Sequence, residues 1–494
     1  MAVIAAERAW FERLGSDLVR YLLNLTDEQL ERFYGRSAAA LSSEQEEVLE
    51  ELLLLDTQVG LESEGWTLFS WRSTLGRWRE DAGMSLGNLA RRRSGGLISV
   101  PPTGLTEIDE TLATLAIDSY PTLLLKHDDD GWGPSVSLSG NPAEQKFIRS
   151  IREDSLLGRL FGEEHPIRGR GGSTLRSTGA GGTHSLVGFA ETLIGSGWRL
   201  ALTRKRSPGV ADLVEATQHS IDTIRSALTG DSTRVPANFG LAGVLFPASL
   251  DVLDFGWGRM RKSDRRDAVF VRSTSLEGQL TSLVSDGLGV AINYSGDVVL
   301  EAAVPYLVRT AKFDASLDWS KELDVGQRSV EEYVNIVRLG LLLAVPEVRP
   351  VLAPSWQLIL DPFSQGVGVS WFDVKNVPGL FPFQLTESQA RDWAMWVGRI
   401  SELRTPSVDI AIRRMVMAVS ERQRPDDMLL DAVIVWESLF GSNTDTSLRI
   451  TSSLAWLLGS SPEDRLLKQA HYRKIYGARP DPCHLLARGG SVGL

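Results

Sequence analysis

Near the end of the chain an arginine and a histidine stand four residues apart, in Arg479-Pro480-Asp481-Pro482-Cys483-His484. A guanidinium is permanently charged and grips phosphate oxygens bidentately. An imidazole titrates near neutral pH and can take the proton of a ribose 2′-hydroxyl. Both side chains can reach one phosphodiester, so Arg479 and His484 are the candidate catalytic residues and RNA the candidate substrate. No strong cluster of metal ligands lies near the pair, and neither a metal nor a cofactor is expected.

A second feature sits upstream. Leu430, Val433, Ile434 and Glu437 fall at i, i+3, i+4 and i+7, so a carboxylate shares an apolar helical face. Burying a charge without a partner is costly. Arg449, at the start of the following helix, is the nearest candidate, and the two are expected to form a supporting ion pair.

The run from Arg424-Pro425-Asp426-Asp427 to Trp436-Glu437-Ser438-Leu439-Phe440-Gly441 resembles the Apea-like branch of the HEPN domains. So does Thr446-Ser447-Leu448-Arg449-Ile450 through Leu457-Leu458, and Tyr476-Gly477-Ala478-Arg479 falls where that family has its Tyr-x-x-Arg lead-in to Arg-x4-His. The likeness covers about the last 100 residues, with the pieces in order. It implies an all-helical domain, a homodimer, and metal-independent RNA cleavage at a site composed from two subunits. Many members act in toxin–antitoxin or anti-phage defence, and some are inactive scaffolds. Here Pro480 and Leu485 stand where the family usually has Ser or Asn and Gly, and Pro480 and Pro482 interrupt a helix through the pair. A non-catalytic bundle that only dimerises or recruits partners is the alternative.

Other segments are weaker. Residues 75–93, ending Leu89-Ala90-Arg91-Arg92-Arg93, look like half of a helix-turn-helix, with Gly83 as the turn; DNA binding there is the third function considered. His127-Asp128-Asp129-Asp130 lacks calcium-loop spacing and reads as a solvated acidic turn. The glycines between Pro166 and Thr183 end in no Gly-Lys-Ser/Thr, which favours a linker or mobile loop over a phosphate cradle.

The elements that would position these residues divide the chain as an α+β multidomain protein. Residues 1–165 read as mainly helical, 166–184 as the Gly-rich loop or linker, and 185–385 as mixed α/β. Residues 386–494 read as a truncated HEPN-like bundle. Thr26/Gln29, Ser43/Glu46 and Thr386/Gln389 read as capping boxes. Trp198 to Leu202 alternates like a strand, whereas Val210 to Ile224 has helical spacing. Val290–Tyr294 and Val298–Leu300 read as a hairpin turning at Ser295-Gly296. Trp356–Leu360 and Val367–Phe372 read as two more strands. After Pro382 come helices starting at Thr386, along the apolar stripe Ile412, Met415, Val416 and Val419, at Pro425, over Thr446 to Leu458 and over Arg465 to Tyr476.

The 494 residues include 52 Lys+Arg against 63 Asp+Glu, a net charge of −11, which disfavours non-specific nucleic-acid binding. A single cysteine excludes an intrachain disulfide and a cysteine-built zinc site. The charged N-terminal residues do not suit a signal peptide, and the best apolar run, Leu339 to Val345, is far short of the ~20 residues that span a membrane. A cytoplasmic protein without a membrane partner is expected.

Overall fold

The computed structural model describes residues 10–34, 41–62, 67–125, 136–161, 172–177, 181–264, 267, 281–283, 289–291, 296–311, 325–363, 369–372, 380, 382–441 and 445–478. The fold is mixed α and β with a helical C-terminal region.

Helices α1 (Ser16–Leu22), α2 (Asp27–Tyr34), α3 (Ser43–Glu62) and α4 (Thr67–Gly76) come first. At α2 the expected box forms. The Thr26 hydroxyl accepts from the Gln29 N–H at 3.1 Å, and the Gln29 side chain accepts from the Thr26 N–H at 3.0 Å. At α3 the box is Ser42/Gln45, one residue earlier than expected, with bonds of 3.3 and 2.9 Å. Gln45 Nε2 also donates to Leu23 O at 2.9 Å, which ties α3 to the end of α1 and decides the register. Strands β1 (Trp78–Arg79) and β2 (Met84–Ser85) then form a short hairpin leading into α5 (Leu86–Arg93). Gly83 makes its turn at φ +66°, a region that favours glycine. Residues 75–93 are therefore helix, hairpin and helix rather than helix-turn-helix. Trp10, Leu14, Leu18, Trp71 and Leu75 lie in a core of this region's own.

Helices α6 (Glu107–Leu123) and α7 (Pro142–Glu153) precede β3 (Gly172–Ser177) and β4 (Gly181–Ser185). The Gly-rich stretch expected to be a linker thus carries a hairpin. A ladder satisfies backbone groups whatever the side chains, so poor apolar content does not prevent pairing. Helix α8 (Phe189–Arg204) contains Trp198–Leu202, expected as a strand, and α9 (Val210–Thr229) follows. α8 is buried without a break from Thr192 to Leu202, so it shows no single apolar stripe for periodicity to find. Gly197 lets α8 lie against α9: a Cβ there would stand 2.5 Å from Thr217 Oγ1 and 2.7 Å from its backbone.

The remaining strands are β5 (Thr233–Ala242), β6 (Val244–Leu245), β7 (Val252–Asp254), β8 (Gly258–Lys262), β9 (Thr281–Leu283), β10 (Gly289–Ala291), β11 (Val298–Tyr306) and β12 (Val308–Ala311). Helix α10 (Val325–Ala344) separates these from β13 (Ala353–Ile359), β14 (Val369–Trp371) and β15 (Phe383–Gln384). A six-stranded antiparallel sheet runs β14-β13-β5-β11-β8-β7. The 356–372 strand pair forms as expected. The hairpin expected around Ser295-Gly296 does not: β10 pairs with β9, and β11 lies between β5 and β8. Residues 237–242 of β5 are all buried, so both faces of the sheet are covered there. The core also holds charge. Arg199 is fully buried, which pushes it down to about 10, and the charge of Asp361 opposes that shift.

Helices α11 (Glu387–Glu402) and α12 (Pro406–Ser420) continue this packing. Thr386 and Gln389 form the expected capping box, with bonds of 3.3 and 3.0 Å. Trp393 is buried and its indole N–H donates to Val337 O of α10 at 2.8 Å. Trp393, Val397, Ile400 and Ile412 belong to the same core as the sheet. The bundle expected from residue 386 therefore starts inside the central core, and a separate C-terminal core begins only beyond α12.

Candidate functional site

Three helices build that C-terminal unit: α13 (Pro425–Phe440), α14 (Thr446–Leu458) and α15 (Pro462–Gly477). Their limits follow from local chemistry. Pro425 sits in the first turn of α13 with Asp426 and Asp427 at the positive helix end, and Gly441 closes it. Ser461 caps α15, its side chain accepting from the Asp464 N–H at 3.2 Å. Val433, Ile450, Leu454 and Tyr476 form the small shared core.

Glu437 lies half-buried beside that core. The Tyr476 hydroxyl donates to Glu437 Oε1 at 2.6 Å, so the last turn of α15 is fastened to α13. The ion pair expected between Glu437 and Arg449 is not formed. Ile450, Thr451, Leu454 and Ala455 make the buried face of α14. Arg449 precedes that face by about 100° of rotation and is exposed with Leu448.

The buried acid of the C-terminal helices is instead Asp431, 1% exposed. Arg414 of α12 donates to its Oδ1 at 2.8 Å, and Arg422, between α12 and α13, donates to its Oδ2 at 2.7 Å. The bond to Asp431 holds Arg422 above its ordinary range. Sequence reasoning passed over this node because Asp431 lies outside the Leu430/Val433/Ile434/Glu437 stripe. The available signal was the basic Arg413-Arg414 and Arg422 in the stretch just before an otherwise acidic and apolar α13.

Arg479 and His484 lie outside the described residues, as does His127 to Asp130. Tyr476, three residues before Arg479 in sequence, is the described residue of the lead-in that makes a site contact. Among the described residues no group of three or more His, Cys, Asp or Glu is placed to hold a metal ion, and no helix is long and apolar enough to cross a membrane.

The surface of this unit is unusually apolar. Leu448, Trp456, Leu457, Leu458, Leu466 and Leu467 are each 56–72% exposed. The Arg465 guanidinium lies 4.0 Å from the Trp456 ring centroid. The basic run at residues 91–93, by contrast, is largely engaged in the fold. Arg91 donates to the carbonyls of Tyr21 and Leu97, both at 3.0 Å, and Arg93 grips Glu51 with two bonds of 2.5 and 2.8 Å. Arg92 is the residue of the run that makes no such bond among the described residues, so the three arginines do not form one free basic face.

No family model, characterised protein or solved structure matches the chain.

Proposed function

We propose that the chain is a metal-independent endoribonuclease of HEPN type, working in toxin or anti-phage defence as a homodimer through its C-terminal helices. The observation that carries the reading is the Tyr476–Glu437 bond. It joins the first and last of the three segments that resemble the family, at the end of the helix that leads in sequence to Arg479. On this reading His484 takes the 2′-hydroxyl proton, and Arg479 holds the non-bridging oxygens as negative charge builds on the phosphate. The products are a 2′,3′-cyclic phosphate and a 5′-hydroxyl, and DNA, lacking the 2′-hydroxyl, is not cut.

The test is RNA cleavage by the purified chain in the presence of a chelator, with the ends of the products identified. Cleavage is expected to persist and to be lost in Arg479→Ala and in His484→Ala. Chelator-sensitive cleavage or 5′-phosphate ends would overturn the mechanism. A second reading, a non-catalytic module that dimerises or recruits, is favoured by the exposed apolar surface on α14 and α15. Complete inactivity, with self-association retained in light scattering, would select it.

A further inference from the structure

Between the N-terminal helices and the central core lies a cavity of ≈ 780 Å³, within the range of about 300–1,000 Å³ usual for small-molecule sites. It occupies a seam: Tyr21 and Leu124, both in its lining, pack against the N-terminal core and the central core alike. Ligand sites favour such junctions.

One wall is aromatic. Tyr21, Tyr120 and Trp198 meet edge to face, with ring centroids 5.1 and 5.9 Å apart. Both hydroxyls are bonded to protein, Tyr21 donating to Asn88 Oδ1 at 2.8 Å and Tyr120 to Pro208 O at 2.9 Å. Burial pushes Tyr120 up to about 12 and Tyr21 further, so the wall is neutral at physiological pH.

The charges are unevenly matched. Arg20 is offset by Asp17 at 3.8 Å and Asp27 at 2.9 Å; Glu12 is the remaining acid of the lining. Arg91 donates only to backbone carbonyls and lies 4.5 Å from the Tyr21 ring centroid. Arg206 is exposed, with no hydrogen bond or ion pair among the described residues. Trp198 is 4% exposed, and its indole N–H has no partner among the described residues.

Two guanidiniums without carboxylates suit a phosphate, which arginine recognises by a planar fork. An arginine stacked on a tyrosine offers its other face to a planar ring. We propose that this cavity binds a free nucleoside phosphate, its phosphates drawn to Arg206 and Arg91 and its base set against the aromatic wall. The site does not rest on the ribonuclease reading.

The experiment is calorimetric titration of the full chain with adenosine and guanosine mono-, di- and triphosphates, and with adenosine and inorganic phosphate separately. No RNA cleavage is read, so its outcome is independent of the nuclease test. At least one nucleotide is expected to bind with 1:1 stoichiometry, and adenosine and phosphate about ten-fold or more weaker. Arg206→Ala removes no contact within the described fold and is expected to weaken binding about ten-fold, as is Arg91→Lys with its fold checked by circular dichroism. Absence of binding by every nucleotide at about 1 mM, or wild-type affinity in each folded variant, would overturn the proposal.

Discussion

The Asp431 node makes an asymmetric prediction. Its carboxylate is 1% exposed, whereas the Arg414 and Arg422 side chains are 31% and 33% exposed. Replacing both arginines by methionine keeps most of the apolar stem and strands the acid where water does not reach. A buried charge without a partner costs about 3–5 kcal/mol. Replacing Asp431 by leucine strands the two cations instead. Their long stems can carry the heads outward into water, and water restores part of the charge-assisted bonds worth about 1.5–3 kcal/mol each. The net cost falls to about 1–2 kcal/mol. Arg414→Met/Arg422→Met is therefore expected to lose about 2–3 kcal/mol more than Asp431→Leu. Amide hydrogen exchange over α12 and α13 is the suitable assay, because a chain with several cores does not unfold as two states. Equal costs, or a larger cost for Asp431→Leu, would refute the argument that exposure of the partners sets the penalty.

Tyr476→Phe removes the bond to Glu437 and is expected to lower the opening free energy of α15 by about 1 kcal/mol in the same assay. Arg449→Leu, in contrast, is expected to lie within about 0.5 kcal/mol of wild type, since the residue is exposed and unpaired with Glu437. Burial pushes Asp297 up to about 6, with the Gly243 and Val244 N–H groups acting the other way. The folded state therefore binds more protons than the unfolded state in this range, and stability falls as pH rises from the ordinary carboxylate value through about 6. Denaturation midpoints between pH 4 and 7 are expected to show a shallower pH dependence in Asp297→Asn, and an unchanged slope would contradict the shift.

The elements that sequence made legible are those whose signals are local. Thr26/Gln29 and Thr386/Gln389 carry both halves of a capping box within four residues, and Pro425-Asp426-Asp427 marks a helix start without outside help. Ser42-Ser43-Glu44-Gln45-Glu46 offers two registers for the same device, and only the contact of Gln45 with Leu23 chooses. Alternation at Trp198–Leu202 failed because a helix buried all round has no polar face to set its period. The order of the six-stranded sheet rests on pairings far apart in sequence, such as Val298 with Leu241, that no local pattern encodes. At the candidate site the apolar stripe of α13 singled out Glu437, but its partner came from α15 rather than from the next helix. Asp431 went unseen because the sequence gives its charge but not the arrival of two arginines from the preceding helix and connection.

The division of the apolar interior bears on how the chain opens. Tyr21 and Leu124 belong to the packing of two cores at once, so the N-terminal helices share side chains with the sheet and are expected to unfold with it as one cooperative unit. Among the described residues, the helices that end in the Tyr476 turn share a small core of four buried apolar side chains, Val433, Ile450, Leu454 and Tyr476. So few anchors support a low free energy of sub-global opening. In native-state exchange this part of the chain should behave as a separate foldon, sampling released conformations while the sheet stays closed, and a partner that covers its leucines would draw on that reserve of motion.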